Sequence, residues 1–174
     1  MPDPTQPRSI YSRIWVGSLD HCQPGTADCA VVHACKSPCH QRALGYSGSL
    51  AADHPHYLAR ADAHDLWLNL IDPPIPLFQP DSFTQFLAFA APRHDAGQSL
   101  LLHCNLGHSR SASLALLLLA RHLHAIPDAS CAAAREAYQR LDPEYRPGNG
   151  IAKFLDEHWS ALTCPCPACA RKNS

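Results

Sequence analysis

Apolar residues come in short runs separated by stretches rich in proline, glycine and histidine. Arg13–Val16 reads as a short strand that stops at Gly17-Ser18, and Ala30–His33 (AVVH) is a continuous apolar run of strand type. Leu66–Ile71 (LWLNLI) is a further strand, ended by Asp72-Pro73-Pro74. Ser99–His103 (SLLLH) is the clearest strand; it is apolar on both faces and so belongs in the middle of a sheet. Helical spacing begins behind Asp81, a candidate cap, with Phe83, Phe86, Leu87 and Ala90 on one face; Pro92 and Gly97 close it. A strongly apolar helix is expected over Ser109–His124, a third from Pro127-Asp128 to about Arg140, and a last from about Gly150 to Leu162.

Strands that alternate with helices predict an α/β fold. It is a single three-layer domain whose central, mostly parallel sheet of four or five strands is flanked by helices. Residues 1–12 read as a loose tail, 13–162 as the domain and 163–174 as a cysteine-rich tail. Between 34 and 63 the composition shifts to Cys, His, Pro, Gly and Ser, which reads as a long irregular insertion with a short helix near His56–Ala61.

The length of 174 residues suits one core, and 46% apolar against 17% charged residues marks a globular chain. A net charge of -1 argues against a general nucleic-acid binder. The longest apolar run, Leu114–Ala120, is far short of a membrane span, and Met1–Arg8 holds three prolines and no apolar stretch, so no signal peptide is read. The expectation is a cytoplasmic monomer, with no membrane or nucleic-acid partner and its nine cysteines mostly reduced. Three lysines against eleven arginines, with abundant alanine and leucine, suggest a GC-rich bacterial or phage source.

The candidate chemistry lies in His103-Cys104-Asn105-Leu106-Gly107-His108-Ser109-Arg110-Ser111. A cysteine six positions before an arginine is weak alone. The preceding His, the Gly three residues on, the Ser after the Arg and the strand-to-helix setting make it specific. A loop entering a helix turns backbone N–H groups toward a phosphate, and Gly107 permits the tight path. The amides from Asn105 through Leu106, Gly107, His108 and Ser109 to Arg110 would form the cradle. Arg110 offers a planar fork for two phosphate oxygens, and it and the helix terminus favour negative charge at Cys104. Ser111 can donate to the cysteine sulfur, while His103 supports the loop rather than acting as a base.

This segment resembles the HCxxGxxR[ST] signature of the cysteine-dependent protein tyrosine phosphatase superfamily. Ile14-Trp15-Val16-Gly17-Ser18 is similar to the opening strand of its compact dual-specificity branch. Leu66–Ile71 with Asp72 is similar to the branch's general-acid segment, 32 residues before Cys104 as in the family. Arg146-Pro147-Gly148-Asn149-Gly150 is similar to its Pro-Asn-x-Gly stretch in altered order, which makes Asn149 a supporting residue. Val32–Lys36, Leu44–Gly48 and His54-Pro55 resemble an insertion of a prokaryotic and phage subgroup. The resemblance spans roughly 13–160 and implies phosphomonoester hydrolysis through a phosphocysteine, with no metal or organic cofactor. It implies a phosphorylated protein or a small phosphorylated molecule as substrate.

Four carboxylates could supply the proton for the leaving group: Asp62, Asp65, Asp72 and Asp81. Asp72 is preferred, and its alternative role is to stabilise the Asp-Pro-Pro bend. His33, Lys36, His40 and Tyr46 could line the substrate mouth; the absence of lysine in the signature loop counts against an inositol lipid. Cys164, Cys166 and Cys169 supply three thiols, but a closed metal site needs four ligands. No fourth is evident beyond Cys35, Cys39 or His40, so no metal is expected; the segment reads as a flexible tail dispensable for catalysis, with a redox role for its cysteines as the alternative. Alternative functions are a phosphatase of a small metabolite or nucleotide, an arsenate reductase or sulfur transferase, and a phosphate-binding module without turnover.

Overall fold

The computed structural model describes residues 6–170. Six strands form one mixed sheet in the order β1-β2-β6-β3-β5-β4. They are β1 (Arg8–Tyr11), β2 (Ile14–Gly17), β3 (Cys29–His33), β4 (Ala59–Ala61), β5 (Asp65–Leu68) and β6 (Ser99–His103). The inner strands β2, β6, β3 and β5 run parallel, while β1 and β4 pair antiparallel at the two edges. The sheet is thus larger than the four or five strands expected. Arg8–Tyr11 pairs with β2 where a loose tail was read, and Ala59–Ala61 pairs with β5 where a short helix was read. Both are edge strands of three or four residues, too short and polar to signal a period; pairing with a neighbour decides their state.

β6 lies between β2 and β3, in register Val16↔Leu102↔Val32, and Leu100 and Leu102 are wholly buried. This is the placement its two-faced apolarity requires. The helices are α1 (Gln41–Leu44), α2 (Pro80–Asp95), α3 (Arg110–Arg121), α4 (Cys131–Leu141), α5 (Asn149–His158) and α6 (Pro167–Ala170). Asp81 is not the cap of α2. Pro80 takes the first helical position, where its missing N–H costs nothing, and Asp81 adds favourable charge to the first turn. α4 starts at Cys131 rather than at Pro127-Asp128, because Ser130 Oγ accepts from the Ala133 amide at 3.1 Å. α3 is buried along its whole length from Arg110 to Ala120, so the helix carrying the signature loop runs through the core. No helix among the described residues is long and apolar enough to cross a membrane.

Candidate active site

The loop between β6 and α3 is pinned from three sides. The Cys104 amide donates to Gly17 O at 3.3 Å and the Leu19 amide to Asn105 O at 3.2 Å, tying the loop to the end of β2. Gly107 has φ +80°, and a Cβ there would lie 2.8 Å from the Gly17 carbonyl, so the close approach requires glycine. Arg8 Nη2 donates to Gly107 O at 2.7 Å while the same guanidinium is paired with the buried Asp142 at 3.0 Å. On the third side the Arg146 amide donates to His108 O at 2.8 Å, and the Gly148 amide to Ser109 Oγ at 2.9 Å.

Cys104 is 2% exposed, at the floor of this loop. Its sulfur receives the Gly107 N–H at 3.3 Å and the Ser111 hydroxyl at 3.2 Å. Arg110 is held from behind: Nη1 donates to Ala34 O at 3.1 Å and Leu70 O at 2.9 Å, the carbonyls just beyond β3 and β5. Nη2 donates to Asn105 Oδ1 at 2.7 Å. Its Nε–H is buried with no hydrogen-bond partner among the described residues, and Asp72 Oδ2 lies 3.9 Å from it. A buried, unpartnered charged donor is costly unless something completes it.

Arg110, Asp72, Asn105 and Lys36 line a common pocket of ≈ 380 Å³, together with Ser37, Gln41, Leu70 and Ile71. Ser37, Gln41 and Ile71 escaped the sequence reading, since nothing in their spacing marks them. Ile71 is half exposed on this wall, and Leu106 projects 71% exposed from the tip of the loop. Asn149 is exposed at the start of α5; the contact expected of its stretch is made by Gly148. A Cβ at Gly148 would lie 2.5 Å from Asp72 Oδ1, so glycine leaves room for that carboxylate.

The rival acids are engaged elsewhere. Asp65 is buried and accepts from the Gly25 amide and His33 Nε2. Asp62 caps a turn by accepting from the amides of His64 and Asp65, and Asp81 is exposed on α2. His33 and His40 are not at the mouth. His40 bonds Tyr46 and the His56 carbonyl. His33 lies behind the signature loop, with His103 Nε2 at 2.7 Å from its Nδ1. The carboxylate of Asp65 fixes Nε2–H on His33, which leaves Nδ1 to accept from His103 Nε2–H. Burial, with His33 alongside, pushes His103 down to about 3, so its ring is neutral and its role is to brace the loop.

No protein-family model and no curated protein matches the chain. Among solved structures, the fold is that of the dual-specificity phosphatases. Human DUSP28 superposes with a TM-score of 0.60 at 18% identity, over 93% of this chain and 97% of that one. A human tyrosine phosphatase-like serine/threonine/tyrosine-interacting protein gives 0.61 at 15%, over 88% and 95%. PTPMT1 in complex with PI(5)P gives 0.60 at 16%, over 89% and 95%. At these identities the likeness is one of fold.

Proposed function

We propose that the protein is a cysteine-dependent phosphomonoester hydrolase that acts on phosphorylated protein side chains, phosphotyrosine among them. The observation that carries this is Arg110: anchored on two strand-end carbonyls, it keeps a buried Nε–H unpaired beside Asp72 and shares a pocket with it. A phosphoryl group with two oxygens on the guanidinium and the rest on the loop amides completes that donor set. Cys104 attacks phosphorus in line and displaces the ester oxygen, which takes its proton from Asp72. The phosphocysteine is then hydrolysed by a water that gives its proton to the Asp72 carboxylate, while Ser111 donates to the departing sulfur. No metal or organic cofactor enters these steps.

Ile71, half exposed on the pocket wall, suits an aryl phosphate better than a polyphosphorylated sugar or lipid headgroup. Lys36 and Gln41, which also line the pocket, come from the 34–63 insertion, and the same assay tests the small-metabolite reading they favour. Turnover of a phosphotyrosine peptide above a phosphothreonine peptide, nucleotides, inositol phosphates and arsenate is the expected order. A clear preference for any of the last three would reassign the substrate.

Asp72→Asn separates the general acid from a turn-stabilising residue. kcat should fall about 10²–10⁴-fold on alkyl phosphates, whose leaving group needs a proton, and much less on nitrophenyl phosphate. Equal loss on every substrate, with a lowered Tm, would mean that Asp72 only holds the bend.

A further inference from the structure

α3 leaves the core at Arg121, and its next residue, His122, is buried at the helix end. Three sulfurs converge on one atom of this ring: Cys169 Sγ lies 3.3 Å, Cys166 Sγ 3.4 Å and Cys164 Sγ 3.6 Å from His122 Nδ1. All four ligand atoms lie within 4.8 Å of one another, and all four residues are buried. The opposite ring nitrogen, Nε2, is 2.8 Å from Asp95 Oδ1 at the end of α2. That bond places the ring proton on Nε2 and turns the Nδ1 lone pair to the sulfurs. One lone pair can accept one S–H. Cys169 Sγ also reaches the Arg121 carbonyl, at 3.8 Å; what marks the cluster is that all three sulfurs stand within 3.6 Å of the same nitrogen.

We propose that His122, Cys164, Cys166 and Cys169 form a structural zinc site. With Zn–S near 2.3 Å and Zn–N near 2.0–2.1 Å, a tetrahedral centre sets nitrogen about 3.6 Å from each sulfur and the sulfurs about 3.8 Å apart. The 3.3–3.6 Å distances in the protein meet this with small adjustments. Three soft sulfurs and an imidazole select zinc over magnesium or calcium. Four protein ligands close the coordination sphere, so the ion is structural rather than catalytic. Asp95 supplies the carboxylate that orients a metal-bound histidine. On binding, the three cysteines release their S–H protons to solvent and bond as thiolates, and no electron transfer is involved. Cys164, Cys166 and Cys169, in the tail read from sequence as dispensable, would thus staple the ends of α2 and α3. The site lies a helix length, about 18 Å, from the catalytic loop, since α3 spans 12 residues between them.

A second cluster, Cys22, His33, Cys39 and His103, marks the contrast. There His33 Nδ1 is already bonded to His103 Nε2 at 2.7 Å, and Cys22 is exposed. Hydrogen bonding accounts for that geometry without an ion.

The test uses the full chain, purified under reductant without a histidine tag. Elemental analysis should give about one zinc per chain. Cobalt replacing it should show the thiolate charge-transfer and d–d bands of a tetrahedral sulfur-rich site. Cys166→Ser and Cys169→Ser should lose the zinc, Cys22→Ser should retain it, and a strong chelator should lower Tm by about 5–15 °C. The cobalt spectrum of the unaltered protein stands even if a variant fails to fold. Reduced protein that takes up neither zinc nor cobalt would overturn the proposal. So would zinc retained by both tail variants but lost from Cys22→Ser, or a tail disulfide in metal-free protein that is folded as isolated.

Discussion

Cys104→Ser is expected to lower turnover by on the order of 10⁴–10⁶-fold, the usual loss when a covalent nucleophile is removed. The hydroxyl is a far weaker nucleophile than the thiolate, and Asp72, which gives its proton to the leaving group in this step, cannot at the same time take the hydroxyl's. His103, the nearest candidate base in the sequence, has its Nε2 committed to His33. The fold should persist, because the smaller side chain can still accept from the Gly107 amide and the Ser111 hydroxyl. Phosphate or vanadate should still bind, since the proposed clamp is Arg110 and the loop amides. Appreciable nitrophenyl phosphate hydrolysis by this variant, after contamination is excluded with a Cys104→Ala control, would remove the phosphocysteine from the mechanism.

Arg110→Lys should cost about 10²–10³-fold in kcat/KM although it preserves the charge. The guanidinium does several things at once. Nη1 holds the Ala34 and Leu70 carbonyls, Nη2 holds Asn105 Oδ1, and Nε faces Asp72. An ammonium can reach the two carbonyls or the phosphate, but not both, and it cannot present a planar pair of donors. If it satisfies the carbonyls, Tm changes little and phosphate affinity falls. If it turns to the phosphate, the buried Ala34 carbonyl loses the guanidinium while Leu70 O keeps only the Lys36 amide at 2.8 Å, and Tm falls as well. Near-normal kcat/KM would mean that Arg110 is a structural link between β3, β5 and the loop and no more.

The parts of this fold that could be read from the chain are those whose signal is local. Ser99–His103 carries its own two-faced apolar run, and the loop behind it carries a dense set of residue types at fixed spacing. The sequence reads Asp72 as the end of a strand near that of Cys104, whereas β5 stops at Leu68 and β3 lies between it and β6, so the segment after β5 carries Asp72 to the pocket. The edge strands could not be read, because RSIY and ARA have no preference of their own and take their state from the partner. Gly148 reaches Asp72 across 76 positions of the chain, and His122 lies 42 positions before the first tail cysteine. Contacts of that range are made by topology, and sequence spacing is silent about them. His122 in particular looked like one of twelve histidines after an apolar helix until the fold set the tail against it.

The position of Arg8 has a practical bearing on where the chain can be cut for crystallisation or for fusion to a tag. The first strand contributes little core, and a short deletion there looks harmless on hydrophobic grounds. Yet Arg8 grips both the Gly107 carbonyl and Asp142 through three charge-assisted bonds, each worth about 1.5–3 kcal/mol. A boundary drawn at residue 12 would release the phosphate cradle on its outer side and leave Asp142 buried without its cation. Such a protein should still fold but bind vanadate more weakly than the full chain. An inactive trimmed fragment would therefore say more about its boundary than about its chemistry.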